Sequence, residues 1–132
     1  MSSLQPIGLF LLYFGVAFAF EAVFIALYMM VTPHHEGALI EQGNTAAAIS
    51  LGGAVLGFTL PLGSAIVHSV SLLDMAIWSA VALLVQLGVY LLVDFMLRGV
   101  SRRIEEGNTA AATILAVASL SIGMINAASM TY

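Results

Sequence analysis

The chain has 132 residues, of which 61% are hydrophobic and only 8% are charged. A water-soluble domain carries roughly 25% charged residues and keeps a large share of its surface wet, so we expect the apolar excess to face a lipid bilayer. The net charge of −4, with three arginines and no lysine, excludes a nucleic-acid binder, which needs a basic surface. The lack of cysteine excludes disulfides, thiolate metal sites and thiol nucleophiles.

Four apolar segments are each long enough to cross a bilayer as a helix, which takes about 20 mostly apolar residues. They are residues 7–31, 44–67, 72–97 and 108–130. Pro33 ends the first segment, because proline and the residue before it resist helix continuation. The residues before position 7 carry no positive charge, so we expect this segment to remain as a spanning helix and not to be cleaved as a signal peptide. The sequence therefore predicts an all-α, polytopic membrane protein with four transmembrane helices.

The chain repeats part of its own sequence. Gly-Asn-Thr-Ala-Ala-Ala occurs at residues 43–48 and again at residues 107–112, an offset of 64 residues. Each copy lies where an even-numbered helix begins, and two crossings separate the copies. The repeat predicts one transmembrane domain, residues 1–132, built from two parallel tandem hairpins at about 7–68 and 71–132.

Arginine predicts the orientation of the helices. Arg98, Arg102 and Arg103 all lie at the end of the third segment or in the loop after it, and positively charged loops stay in the cytoplasm. The first hairpin loop then lies on the same side of the membrane. Both chain termini are predicted to lie outside.

The start of each even-numbered helix carries a cap and nearby acids. Asn44 and Asn108 are predicted to cap these helices by accepting hydrogen bonds from free backbone amides. Glu41, Glu105 and Glu106, just upstream, favour the positive end of the helix dipole. Glu41 and Glu105, which the repeat pairs, would form a cytoplasmic acidic rim on which a basic partner could dock.

Glu21 lies 11 residues before Thr32, about 16 Å along the helix and therefore near the bilayer midplane. An ionised carboxylate is costly there, and such acids usually face the bundle interior, a cavity or a partner. Gln86 lies at nearly the same depth in the third helix, so a hydrogen bond between the two is a hypothesis. Glu21, Gln86 and Asn126 are candidates for structural contacts between helices or for a proton or cation site.

Small residues follow one stripe on the second helix and another on the fourth. Gly53 and Gly57 on the second helix, and Ala116 and Gly123 on the fourth, would allow close helix packing within the chain or between copies. A pore lined by these faces is the alternative. Pro61 has no N–H to donate to the carbonyl of Gly57. A neighbouring hydroxyl or a water would then donate to this carbonyl, or the carbonyl would coordinate an ion.

Two polar groups resemble catalytic or metal sites only partly. His34, His35, Glu36 and Glu41 could suggest a metal site. His35-Glu36 begins a zinc-protease pattern, but position 39 is leucine where the pattern needs a second histidine. Ser64, His68 and Asp74 have no accompanying nucleophile elbow. We therefore predict no metal, no cofactor and no enzymatic activity. Tyr28, Trp78 and Tyr132 are expected to anchor helix ends at the headgroup level.

The chain resembles the YjfL-like family of small bacterial inner-membrane proteins, a family of unknown function. The residues that carry the resemblance are 32–34 (Thr-Pro-His), 44–47 (Asn-Thr-Ala-Ala), 60–62 (Leu-Pro-Leu), 68–71 (His-Ser-Val-Ser), 82–87 (Ala-Leu-Leu-Val-Gln-Leu) and 126–132 (Asn-Ala-Ala-Ser-Met-Thr-Tyr). The resemblance implies a duplicated hairpin in a bacterial inner membrane. It also implies genes nearby for envelope-stress coat proteins resembling phage-shock protein A and for ATP-grasp ligases resembling glutathionylspermidine synthase.

Two functions are compatible with these features. The first is an oligomeric membrane subunit or scaffold whose cytoplasmic hairpin loops recruit a peripheral envelope-stress protein. The second is a channel or transporter for protons, cations or small solutes that uses Glu21 and Gln86. A transport path requires the polar residues of the first and third helices to share one cavity, whereas a scaffold permits them to be sealed in dry contacts.

Overall fold

The computed structural model describes residues 4–130, and in this part of the chain every regular element is a helix. The helices are α1 (Leu4–Val31), α2 (Glu36–Glu41), α3 (Thr45–His68), α4 (Leu72–Met96), α5 (Val100–Glu105) and α6 (Thr109–Ala128). Four of them, α1, α3, α4 and α6, are long and apolar enough to cross a membrane. The predicted all-α fold with four spanning helices is confirmed. Tyr132 lies outside the described residues.

The two hairpin loops contain short helices that the sequence did not predict. Both α2 and α5 have six residues and lie in segments that we interpreted only as breaks between spans. Pro33 does end α1 at Val31, but the chain begins a new helical turn at Glu36. A single turn and a half is too short for hydrophobic periodicity to show.

The repeat is visible in the backbone at the same offset of 64 residues. α5 and α6 begin 64 positions after α2 and α3, and Gly43 and Gly107 both have left-handed backbones, with φ of 84° and 82°. Asn44 and Asn108 follow, and their side chains accept from the amides of Ala47 and Ala111 at 3.0 and 3.1 Å. Only glycine adopts this conformation readily, so the Gly-Asn pair forms the same turn before α3 and before α6.

The closest helix contact joins the two hairpins through α3 and α6. A side chain at Gly53 would overlap Ala116, and one at Gly57 would lie 2.5 Å from the Ser119 carbonyl. At Gly123, a side chain would overlap the carbonyl of Gly57, which Pro61 leaves without its helical donor. Glycine is therefore required where these two backbones meet.

The remaining helices flank this pair. α4 packs on both α3 and α6, whereas α1 contacts α3 and α4 at the periphery. Only Ala17, Phe24 and Tyr28 of α1 are buried. Phe24 stacks on Phe58 of α3 with ring centroids 4.7 Å apart, so aromatic packing holds the C-terminal half of α1 against α3.

Candidate functional site

The polar side chains between the spanning helices do not meet in one cavity. Gln86 is 2% exposed, and its Nε2 donates to the Ser119 carbonyl at 3.1 Å. Asn126 donates from Nδ2 to Gln86 Oε1 at 3.3 Å. The structure thus brings the buried Gln86 and the half-buried Asn126 together in a contact that joins α4 to α6.

Glu21 lies elsewhere, in an open groove between α1 and α3. Its Oε1 accepts a hydrogen bond from the Thr59 hydroxyl, and its Oε2 is shielded from solvent with no hydrogen-bond partner. The hypothesis of a bond between Glu21 and Gln86 is therefore wrong. The reason is the rotation of α4, which points Gln86 at α6 and away from α1.

The groove around Glu21 is apolar and about 240 Å³ in volume. Its walls are side chains of α1 and α3: Phe14, Ala17, Phe18, Thr59, Leu62 and Ile66. Phe14 and Phe18 are 57% and 66% exposed, so this side of the protein faces lipid or another protein chain. A carboxyl group with one unpartnered oxygen therefore lies within the apolar span α1, beside the Thr59 hydroxyl of α3.

The Thr59 hydroxyl has one hydrogen and two acceptors in reach. Besides Glu21, it lies 2.8 Å from the carbonyl of Val55. An ionised Glu21 can only accept a hydrogen bond, so the single Thr59 hydrogen goes either to Glu21 or to the Val55 carbonyl, but not to both. A protonated Glu21 can donate to Thr59, which then donates to Val55, and both bonds form.

A third polar group lies in the hairpin loops, where His34 and Glu36 are buried with two partners that the sequence did not indicate, Thr32 and Ser101. Thr32, His34, Glu36 and Ser101 are all buried there, and we call them the loop cluster. Thr32 Oγ1 donates to Glu36 Oε2 at 2.7 Å, and His34 Nδ1 lies 2.5 Å from Ser101 Oγ. The cluster joins the first hairpin to α5 of the second.

Burial sets the ionisation of the loop cluster. It lowers the pKa of His34 below the ordinary 6.5, although Glu105 acts in the opposite direction. It raises the pKa of Glu36 above the ordinary 4.5, although the bond from Thr32 opposes this. His34 Nε2 is 3.5 Å from Glu36 Oε2, outside hydrogen-bond geometry. A neutral His34 is therefore favoured at neutral pH.

Tyr28 borders the loop cluster and is buried in the bundle, whereas we expected it to be exposed as an anchor at the headgroup level. It is 1% exposed, and its ring packs edge-on against Tyr90 at a centroid distance of 6.3 Å. Trp78, another expected anchor, is half-buried against the core. One feature of the sequence indicates the cluster. The repeat is not kept at its polar residues, since the positions 64 residues after His34 and Glu36 are Arg98 and Val100.

The residues of the two partial metal and catalytic patterns are separated or make contacts between and within helices. His35 is exposed while His34 is buried, and residues 4–130 contain no group of three histidine or acidic side chains that could hold a metal. Ser64 donates to the Ala127 carbonyl at 2.8 Å, joining α3 to α6. Asp74 accepts from the Val70 amide at 3.2 Å at the start of α4.

Charged residues are exposed on the two short helices and beside them. We call this surface the charged platform: Glu41, Arg98, Arg102, Arg103, Glu105 and Glu106. Arg102 and Glu106 form an ion pair at 3.6 Å with both side chains largely exposed, which contributes about 0–1 kcal/mol. Asn44 also reaches this region, since its Nδ2 donates to the Ile104 carbonyl at 2.9 Å.

Comparisons with known proteins agree with a membrane protein. The family described as Domain of Unknown Function (DUF350) matches residues 2–130. The chain is 37% identical over 132 residues, all of both chains, to "UPF0719 inner membrane protein YjfL" of Escherichia coli (strain K12). It is 28% identical over 118 residues, 88% of each chain, to "UPF0719 transmembrane protein YshE" of Bacillus subtilis (strain 168). No solved structure matches the chain.

Proposed function

Because the chain belongs to the DUF350 family of membrane proteins, we propose that it is an oligomeric membrane subunit that recruits a peripheral protein to its charged platform. The family resemblance seen in the sequence is confirmed. Its relatives are named as membrane proteins, and the Escherichia coli relative as an inner membrane protein. We place the present chain in the same bacterial membrane, with the platform on the cytoplasmic side.

The observation that carries this proposal is the separation of the mid-membrane polar groups. Asn126 of α6 donates to Gln86 of α4, which donates to the Ser119 carbonyl of α6. Glu21 bonds to Thr59 on the other side of α3. A path through one chain would need these groups around a shared cavity. Sealed helix contacts instead suit a protein whose spans hold its loops in place.

The loops themselves support recruitment. Hydrogen bonds from His34 and Asn44, on either side of α2, to Ser101 and Ile104 of α5 link the two hairpin loops that carry the exposed charges. Glu41 and Glu105, the acidic rim expected from the sequence, occupy equivalent positions in the two repeats, and both are exposed. We propose that this rim binds a basic surface of an envelope-stress coat protein, the partner class that the family resemblance implies.

Charge reversal on the rim tests recruitment. Glu41→Lys with Glu105→Lys should release the partner from membranes, because both substitutions are exposed and leave the fold intact. Cell fractionation with proximity labelling measures this, and Asp74→Asn at the opposite end is the matched control. Recruitment that survives the double reversal at moderate ionic strength would contradict the proposal.

A second candidate function is supported by Glu21. Its free oxygen and the single hydrogen of Thr59 make this site sensitive to protonation, which a proton or cation pathway needs. In liposomes, a pH- or voltage-driven flux abolished by Glu21→Gln, with assembly intact, would favour transport over the subunit role. No flux from either protein would remove the support for transport.

A further inference from the structure

Four buried polar side chains connect α2 to α4 through α5, and we call them the relay residues. They are Glu36 of α2, His34 just before it, Ser101 of α5 and Tyr90 of α4, and none is more than 8% exposed. His34 Nδ1 lies 2.5 Å from Ser101 Oγ, and the side chain of Ser101 is also hydrogen-bonded to that of Tyr90. The other ring nitrogen, Nε2, lies 3.5 Å from Glu36 Oε2. The imidazole ring therefore lies between an acid and a hydroxyl.

Two atoms of this group lack a hydrogen-bond partner although they are shielded from solvent. They are His34 Nε2 and Glu36 Oε1, on the two side chains that face each other. The second carboxyl oxygen of Glu36 already accepts from the Thr32 hydroxyl. A buried polar atom without a partner is costly, and one additional hydrogen between the acid and the ring would supply the missing bond. The site thus fits a proton as its ligand.

With Glu36 ionised, the His34 tautomer that carries its hydrogen on Nε2 is favoured. An N–H directed at the carboxylate attracts it, whereas a nitrogen lone pair in the same place would repel it. Nδ1 then carries no hydrogen and accepts from the Ser101 hydroxyl, and Ser101 in turn accepts from Tyr90. The hydrogen bonds run from Tyr90 towards Glu36.

With Glu36 protonated, every one of these bonds runs the other way. The acid donates to Nε2, so the ring hydrogen lies on Nδ1 and donates to Ser101. The Ser101 hydroxyl is then free to donate to Tyr90, because it no longer donates to His34. Each hydroxyl has a single hydrogen, so the direction chosen at Glu36 fixes the direction at Tyr90.

We propose that the relay residues bind one proton between Glu36 and His34, and that this proton reverses the hydrogen bonds as far as Tyr90. A proton that enters at the Tyr90 hydroxyl balances the change. Tyr90 passes its own hydrogen to Ser101, Ser101 passes its hydrogen to Nδ1, and the hydrogen of Nε2 goes to Glu36. Asp94, half-buried one turn later on α4, acts on Tyr90, so a proton from water can reach that end.

This proton site goes beyond partner recruitment, because it needs no partner. It nevertheless connects to the charged platform, since α5 carries Arg102 and Arg103 directly after Ser101. The protonation state of a buried acid in the first hairpin is thereby transmitted to α5 and α4 of the second.

Ionisable and polar groups from the neighbouring elements act on this proton. Burial raises the pKa of Glu36 and lowers the pKa of His34, so a single proton on the pair lies on the acid and leaves the ring neutral. The neighbouring groups are Tyr28 and Thr32 of α1, His35 before α2, Tyr90 and Asp94 of α4, and Glu105 of α5.

The tautomer of His34 reports the bond direction, and nitrogen NMR of the full chain in lipid nanodiscs measures it. His35→Gln and His68→Gln, both at exposed positions, leave His34 as the one histidine of the chain. As pH rises above 4.5, the neutral ring should change from the Nδ1–H to the Nε2–H form when Glu36 loses its proton. Conversion of a charged imidazolium into one neutral tautomer, with no second tautomer at any pH, would overturn the proposal.

Two variants separate the relay from a purely electrostatic effect. Glu36→Gln has no proton to release, so its neutral His34 should keep one tautomer at every pH. In the parent protein the carbon NMR shift of the Tyr90 ring carbon that bears the hydroxyl should change with the same midpoint as the tautomer. Ser101→Ala should abolish this change at Tyr90. A change that persists in Ser101→Ala would show that Glu36 acts through space and would overturn the relay.

The titration of the parent protein gives a result even if Ser101→Ala fails to fold. None of these measurements involves a recruited protein, so failure of the proton site leaves the proposed docking at the charged platform unaffected. Loss of recruitment in Glu41→Lys with Glu105→Lys, in turn, says nothing about the His34 tautomer. The two proposals therefore stand or fall separately.

Discussion

His34 in the first hairpin loop is bonded to Ser101 in α5, 67 residues later, with 2.5 Å between Nδ1 and Oγ. Asn44 makes a second link by donating to the Ile104 carbonyl at 2.9 Å. Both links run from the first hairpin to the short helix of the second. The two loops therefore behave as one unit, and its stability can be tested residue by residue.

Asn44 and Asn108 provide a matched pair for the first prediction. Each caps a helix, so Asn→Ala at either position should reduce the free energy of unfolding by about 1 kcal/mol. Asn44→Ala also removes the bond to Ile104 and should lose roughly 0.5–1.5 kcal/mol more. Unfolding in mixed micelles measures both variants. Equal losses would mean that the link between the hairpins contributes nothing.

The pH dependence of stability is the second prediction. Because burial raises the pKa of Glu36, the folded state prefers the protonated acid, and stability falls as pH rises from 4.5 through the folded-state pKa. Glu36→Gln should remove this loss, so its stability relative to wild type should increase over that window. Thermal unfolding across pH 4.5–7.5 measures the difference.

His34 should show the opposite sign. Since its pKa is lowered by burial, its contribution is present above pH 6.5 and is lost as pH falls through the folded-state value. The free energy of unfolding of His34→Asn should therefore rise relative to that of wild type as pH falls. Loss of the bond to Ser101 adds a difference that does not depend on pH. A stability difference that does not change with pH in either variant would contradict the assigned burial of the loop cluster.

Gly57 gives the third prediction. A side chain there would lie 2.5 Å from the Ser119 carbonyl, so Gly57→Ala should force α3 and α6 apart and destabilise the fold by about 1–3 kcal/mol. Gly63→Ala is the control on the same helix, because no atom lies within 4 Å of its added carbon. Equal stability of the two variants would show that the helices separate without cost.

Topology is the fourth prediction. Cysteines at Gly37 and Arg103, in the two hairpin loops, should react only with thiol reagents that enter the cytoplasm. Val70, 91% exposed in the connection between α3 and α4, should react from outside when replaced by cysteine. An impermeant reagent on intact cells distinguishes the two, and labelling at Arg103→Cys would reverse the orientation.

The spans and the repeat could be predicted because hydrophobicity and a six-residue identity are local properties. The helix partners could not. Glu21 and Gln86 lie at similar depths, but their rotation about separate helix axes decides that one meets Thr59 and the other meets Ser119. Likewise Gly53 and Gly57 indicated a close contact, while its partner, α6 of the same chain, depends on how the hairpins are placed.

The loop cluster escaped prediction for a different reason. Thr32, His34 and Glu36 are ordinary loop residues by composition, and their burial depends on Ser101, which lies far along the chain. Tyr28 was misplaced because a tyrosine near a helix end is usually an interfacial anchor. Here the second hairpin covers that end of α1, and the Tyr28 ring is buried against Tyr90.

The position of the α3–α6 contact also governs biosynthesis. Equivalent points on the two helices are separated by 64 residues, and ribosomes add about 5–20 residues per second, so α3 precedes its partner by roughly 3–13 s. During that interval the glycine surface of α3 lacks the helix that it packs against, because Ala116, Ser119 and Gly123 all lie on α6. Assembly of the centre of the protein must wait for its last helix, and any factor that shields nascent spans would act on α3 in this interval.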